Sequence, residues 1–175
     1  DVSDRLDNED QFHLNAIAHI KDAGLFIVGE QGSMFRSSDD GQTWEKLEGP
    51  YEGSLFGVIS TAQPQTLLAY GLRGNLYRST DFGSTWEQVE LNAARGALEF
   101  GLSGATLLDD GSIVVVGNGG SVVISHDDGA TFSVFNRPDR ISLSAVTAAG
   151  NGNLVLAGQG GVRVAAPTGA EPTKQ

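Results

Sequence analysis

Cysteine is missing from all 175 residues. That excludes disulfides, thiolate metal sites and cysteine catalysis, and leaves the redox compartment open. Basic residues are scarce, with 11 Lys and Arg against 22 Asp and Glu and a formal charge of −11. Nucleic-acid binders carry a basic stripe, so neither nucleic acid nor an anionic membrane surface suits this chain. Long apolar runs are also lacking. Stretches such as Ile113–Val116 have the length of a strand, far short of the roughly 20 residues that cross a bilayer, so no membrane insertion is expected. Runs of helix formers are few. No signal peptide is visible, and a first residue of Asp1 in place of Met suggests a processed or truncated chain.

Glycine, in contrast, is abundant. Its 24 residues are about twice the usual share of roughly 7% and, with no collagen period, imply many tight turns. With 39% apolar residues for a core, the expected class is all-β.

The chain repeats itself. Four segments align without gaps, beginning at Gly29, Gly71, Gly117 and Gly158, at offsets of 42, 46 and 41 residues. Periods of about 40–50 residues are those of propeller blades. Each repeat reads as an apolar strand A (Leu14–Ile20, Leu55–Thr61, Leu102–Leu108, Leu143–Ala148) and a strand B (Leu25–Val28, Thr66–Tyr70, Ser112–Val116, Asn153–Ala157). A Gly-x-x-Gly hairpin and a strand C follow. Gly at both ends of that hairpin suits positive φ. The first three repeats continue into a strand D beginning at Trp44, Trp86 or Phe132. The expected fold is therefore a β-propeller of four-stranded antiparallel blades. Four blades are present, the last lacking its outer strand, as in an arc of a larger ring of about seven. The divisions are a leader or inter-blade connection at 1–12, blades at 13–50, 51–95 and 96–138, an incomplete blade at 139–166 and a flexible tail at 167–175.

Between strands C and D lies the sharpest motif, Ser37-x-Asp39-x-Gly41-x-Thr43-Trp44. It recurs as Ser79-x-Asp81-x-Gly83-x-Thr85-Trp86 and Ser125-x-Asp127-x-Gly129-x-Thr131-Phe132. A short carboxylate can accept hydrogen bonds from the N–H groups of its own turn, Gly frees the backbone, and the aromatic packs between sheets. A motif present once per blade reads as a structural staple, since a catalytic residue occurs once per site. Metal binding at Asp39-Asp40 or Asp127-Asp128 lacks the alternating ligands and closing Glu of a calcium loop. Neither a metal nor a cofactor is expected.

The staples occupy the C–D side of the blades, so the hairpin tips share the opposite face with the D–A connections. Those tips present Glu30, Gln31, Arg73, Asn118 and Gln159 as candidate partner-binding residues. Arg73, in a tight exposed turn, suits bidentate contact with a carboxylate. Arg36 and Arg78 hold matching places in strand C and are expected to snorkel along a blade edge or to pair with Glu45 and Glu87 across the C–D hairpin. His13, His19 and His126 read as structural or surface groups. Tyr51, Tyr70 and Tyr77 fall into no catalytic constellation with the arginines and carboxylates.

The Asp boxes and Gly-x-x-Gly hairpins resemble the BNR/Asp-box family. The stretches Asp4–Asn8, Gly29–Gly32, Phe56-Gly57, Gly71–Gly74 and Tyr77–Asp81 resemble the photosystem II stability/assembly factor-like (Ycf48-like) proteins in their C-terminal half. That resemblance implies a non-catalytic scaffold for protein–protein interaction, an assembly or stability factor in the periplasm or cell envelope, and a protein partner. Self-association through the unfinished blade edges is a further expectation. Because Asp boxes also occur in sialidases, the alternative is a glycan-binding or sialidase-like glycoside hydrolase.

Overall fold

A computed structural model describes residues 5–93 and 96–172. Residues 1–4, 94–95 and 173–175, which include the start of the leader, the end of the second blade and the end of the tail, lie outside it. The first sheet holds β1 (Leu14–Ile20), β2 (Gly24–Gly29), β3 (Met34–Ser37) and β4 (Glu45–Leu47). The second holds β5 (Leu55–Ser60), β6 (Leu67–Gly71), β7 (Leu76–Ser79) and β8 (Glu87–Gln88). A small hairpin of β9 (Asn92–Ala93) and β10 (Gly96–Ala97) is inserted next. The third sheet follows with β11 (Leu102–Leu107), β12 (Ile113–Gly117), β13 (Ser121–Ser125) and β14 (Ser133–Asn136). The fourth has only β15 (Leu143–Ala148), β16 (Leu154–Gly158) and β17 (Gly161–Ala165). Every pairing is antiparallel between sequence neighbours, which is the up-and-down blade the repeat predicts.

Strands A and B of the second and third blades are apolar on both faces because a neighbouring blade covers each face. Phe26, Val28 and Met34 of the first blade pack against Val58, Leu67, Ala69 and Tyr77 of the second. Leu68, Tyr70 and Leu76 meet Leu102, Ile113, Val115 and Val123 at the next junction. Val114, Val116 and Val122 then meet Leu143, Val146, Leu154 and Leu156. Burying a Val, Leu or Ile contributes about 1.5–3 kcal/mol, so these three layers dominate the stability. Among the described residues no apolar cluster joins the fourth blade to the first, and the four blades form an open arc.

Two arginines tie the second and third staples, one each, to the blade before. Arg36 donates to the Phe82 carbonyl (3.1 Å) and Ser84 Oγ (2.8 Å) of the second box, and its guanidinium lies over the Phe82 ring at 5.7 Å. It also donates to Glu45 at 2.8 Å, as the sequence suggests. Arg78 departs from that expectation. It crosses to the third box, donating to the Asp128 carbonyl at 3.0 Å with its Nη2 3.6 Å from the carboxylate, and makes no pair with Glu87. The third blade has Ile124 at this place, packed against a blade that has no box to hold.

The fourth blade carries a register slip. In the first three, strand B pairs with C across five residues, as in Val28↔Met34, Tyr70↔Leu76 and Val116↔Val122. In the fourth, Gly158 pairs directly with Gly161, because Gly160 and Gly161 (φ 84° and 103°) close a two-residue turn. A slip of one residue moves every side chain of a strand to the other face. The ungapped alignment matches Arg163 to Met34, Leu76 and Val122, but the slip turns it toward the third blade, 3.9 Å from Asp139, and turns Val162 and Val164 outward.

Beyond β17, residues 166–172 turn back onto the third blade. Arg137, buried at the end of β14, donates to the Gly169 carbonyl (3.0 Å), Asp139 (2.9 Å) and Glu171 (2.9 Å). These contacts anchor a stretch that composition alone marks as tail.

Candidate functional site

The three boxes are closed hydrogen-bond circuits. In the first, Asp39 Oδ1 accepts from the Thr43 N–H (2.9 Å) and Ser37 Oγ (2.8 Å), and Oδ2 accepts from Thr43 Oγ1 (2.7 Å). Ser37 Oγ in turn accepts from the Gly41 N–H at 2.8 Å. Asp81 and Asp127 repeat this with Ser79, Gly83 and Thr85, and with Ser125, Gly129 and Thr131, each distance between 2.6 and 2.9 Å. The bonds from Thr43, backbone then hydroxyl, and from Ser37 hold the Asp39 carboxyl down at about 2. Those from the Thr131 hydroxyl and N–H and from Ser125 hold Asp127 at about 2. At Asp81 burial pushes upward, but the bonds from Thr85 and Ser79 outweigh it and the carboxyl is lowered. Carboxylates so engaged at neutral pH have neither a proton to give nor a free lone-pair geometry for a base. Trp86 packs edge-on against Phe26 at 5.9 Å, as its place in the motif implies.

The tips have one shared geometry in the first three blades. Each is a single 3-10 turn, Glu30–Gly32, Leu72–Gly74 and Asn118–Gly120, whose middle residue is left-handed. The closing glycines have positive φ, 72° at Gly74 for example, as the sequence suggests. The opening ones do not. Gly71 is extended at φ −170°, and it must be Gly because a Cβ would sit 2.2 Å from the Ser54 carbonyl oxygen of the incoming connection. Each tip is stitched to that connection, through Glu30 N–H to His13, Leu72 N–H to Ser54, Asn118 N–H to Gly101 and Gln159 N–H to Ser142. Tips and D–A connections therefore share one face.

The candidate residues differ in what they are free to do. Glu30 accepts from the His13 N–H (3.2 Å) and lies 3.3 Å from its ring Nδ1, and these contacts lower its carboxyl. Gln31, Asn118 and Gln159 are exposed at the tips of their own blades. Arg73 is exposed at φ 56°, and among the described residues its guanidinium makes no ion pair or hydrogen bond.

Arg73 lines a cleft of 250 Å³ with Asn75, Gln88, Glu90 and Leu98. Leu98 and Ala97 also border a larger groove of 610 Å³, formed with Phe100, Phe135 and Arg140 between the inserted β9–β10 hairpin and β14. Phe100 is exposed, and its ring lies against Gly119 of the third tip. β14 is the outermost strand of its sheet. The result is a continuous track running from Arg73 over an apolar floor to Arg140, with Glu90 and Glu99 on its rim. Sequence reading finds Arg73 but not Leu98, Phe100, Phe135 or Arg140. Their signal is the 46-residue offset of the third repeat, whose extra residues build the hairpin wall. Among the described residues no cluster of metal-ligating side chains occurs, and no helix is long and apolar enough to cross a membrane.

These observations define the class: a β-propeller whose blades are stapled by Asp boxes. The family described as BNR-Asp box repeat matches residues 76–89, within the second blade. Comparison with curated proteins gives no match in sequence. Among solved structures, Ycf48 bound to D1 peptide shares 20% identity at a TM-score of 0.65, over 94% of this chain and 53% of that one. Ycf48 from Cyanidioschyzon merolae shares 16% at 0.57, over 85% and 53%. An ancestral GH74 enzyme shares 12% at 0.72, over 91% of this chain and 23% of that one. The chain is thus a β-propeller similar in fold to Ycf48, with a BNR-Asp box repeat in its second blade, and it spans about half the length of the Ycf48 chains it resembles.

Proposed function

We propose that this chain is a non-catalytic scaffold that binds an extended segment of a protein partner along the track from Arg73 to Arg140, as an assembly or stability factor of the cell envelope. The observation that carries the reading is Arg73: an exposed arginine that makes no ion pair or hydrogen bond among the described residues, opening onto an apolar groove beside β14, the outermost strand of its sheet. A free edge can add an extended peptide as a further strand, with alternate side chains in the groove and a carboxylate on the arginine. Of the proteins alike in fold, Ycf48 has been captured with a peptide, which supports the same use here. The boxes are occupied with their own turns. Tyr70, the phenol nearest the core, is buried and pushed up to about 12 by that burial, far from a nucleophile's range. Fold alone does not separate scaffolds from the enzymes that share it.

The test is a fluorescence-anisotropy screen of labelled peptides, the D1 peptide among them, against wild type, Arg73→Glu and Phe100→Ser. Peptides with apolar residues and a carboxylate should bind, and each change should weaken binding at least tenfold. Turnover of fluorogenic glycosides that survives purification and is lost with Arg73→Glu would overturn the scaffold reading in favour of a glycosidase. Cell fractionation tests the envelope location.

A further inference from the structure

Asparagine loses ammonia spontaneously when the next residue's main-chain nitrogen attacks its side-chain carbonyl. Glycine, with no Cβ in the way, is the neighbour that most readily allows the approach. Five Asn-Gly or Asp-Gly pairs occur in this chain: Asp40-Gly41, Asp110-Gly111, Asn118-Gly119, Asp128-Gly129 and Asn151-Gly152. Sequence spacing makes them alike, and the structure separates them. Gly41 and Gly129 donate their N–H to Ser37 Oγ and Ser125 Oγ at 2.8 and 2.9 Å, inside the boxes. Gly111 and Gly152 donate theirs to the Leu108 and Ala149 carbonyls, each at 3.0 Å. A nitrogen so engaged must break a hydrogen bond before it can lose its proton and attack.

Gly119 is the exception. It is the middle residue of the 3-10 turn Asn118–Gly120, where the first N–H groups have no preceding carbonyl to receive them, and its own finds no acceptor among the described residues. Asn118 before it is exposed. Ser121 closes the turn, donating from its N–H and from Oγ (2.7 Å) to the Asn118 carbonyl. The rotation that brings nitrogen and side chain together gives up the bonds of this one turn. The first two tips share the geometry but not the chemistry. Leu72 before Arg73 has no side-chain carbonyl, and Glu30 before Gln31 would have to close a six-membered ring. Of the three tips, only the third sets an amide at five-membered-ring distance along the chain from a free N–H.

We propose that Asn118 is a self-modifying site, the one Asx-Gly pair in the folded chain that converts. The Gly119 nitrogen gives its proton to hydroxide and bonds to Asn118 Cγ. The Cγ–Nδ2 bond breaks, and Nδ2 leaves as ammonia with a proton from water, which returns the hydroxide. Water then opens the cyclic imide. Cleavage at Cγ leaves an aspartate at this place, and cleavage at the main-chain carbonyl leaves isoaspartate, with one more carbon in the backbone of the tip. Either product puts a carboxylate beside Phe100, whose ring lies against Gly119 and borders the groove. This consequence rests on the peptide-binding reading above: the new charge repels a ligand's carboxylate. The track is thereby given a lifetime, and old molecules lose the partner first.

Peptide mapping by mass spectrometry, on the 175-residue chain held in warm, mildly alkaline buffer, reads the outcome. In the folded chain Asn118 should convert at least about tenfold faster than Asn151, because Gly152 must first give up its hydrogen bond. An isoaspartyl methyltransferase should label the peptide that carries position 118. In the urea-unfolded chain the two sites should convert at about the same rate, since both read Gly-Asn-Gly. An Asn151 that keeps pace in the folded chain overturns the proposal. So does an Asn118 that stays intact there over the time in which the unfolded chain converts it. Fluorescence anisotropy with the tightest labelled peptide then reads the consequence. Aged wild type should bind several-fold more weakly than its fresh sample, whereas aged Asn118→Gln should match its own fresh sample. Equal loss in both overturns the role of this tip in limiting the track. A fresh chain that binds no peptide sinks the peptide reading and leaves the mass map to decide Asn118 by itself.

Discussion

Asp39 and Asp127 contribute to how the molecule answers to acid. Their folded values, held at about 2 by hydrogen bonds in the turn, lie below the ordinary 3.8. A depressed carboxyl stabilises the fold above its unfolded pKa, and that contribution is lost as pH falls through the folded value. The thermal midpoint should therefore be flat above about pH 5 and fall between about pH 4 and 2, a window readable by calorimetry. Both side chains are solvent-accessible, so screening keeps each share small. Asp39→Asn should flatten part of that fall. Arg73 makes the opposite kind of case. Its left-handed backbone suits Gly, which occupies the same place at Gly119. Arg73→Gly should raise stability by about 0.5–1 kcal/mol in denaturant melts, while peptide binding drops at least tenfold. A variant that is destabilised, or that still binds, would show Arg73 to be an ordinary turn residue.

At the scale of single elements, the turns were more legible than the links between blades. Ser, Asp, Gly and Thr act within one turn, so spacing alone reveals the box. Arg78 acts across 50 residues, and its local neighbour Glu87 was the wrong partner to expect. The clue lay in the pairing of patterns: Arg36 and Arg78 each precede a blade with a box, and Ile124 precedes one without. Arg78→Ala should cost about 2–3 kcal/mol in chemical unfolding, because it leaves the Asp128 carboxylate, 17% exposed, without its cation. Arg137 is an element-scale anchor that composition could not reveal, since its targets Gly169 and Glu171 sit in a segment with no repeat. Arg137→Ala should cost roughly 1–3 kcal/mol. It should also speed limited proteolysis at residues 166–172, seen by mass spectrometry, ahead of any global unfolding.

For the whole molecule, the blade count and strand order followed from the period alone, because each blade buries its faces against neighbours made from the same pattern. The groove did not, because it depends on where an insertion falls, and the ungapped alignment hid the turn at Gly160 and Gly161. That turn has a further consequence. Inserting a single residue between Gln159 and Gly160 gives the fourth hairpin the five-residue span of the other three while Ala157 still faces Val162, so the pairing of β16 with β17 is kept and Val162 and Val164 stay outward. The length of this tip can therefore change with no change in which side chains the blade turns out, and the circular dichroism spectrum and melting midpoint of the insertion variant should match those of the parent.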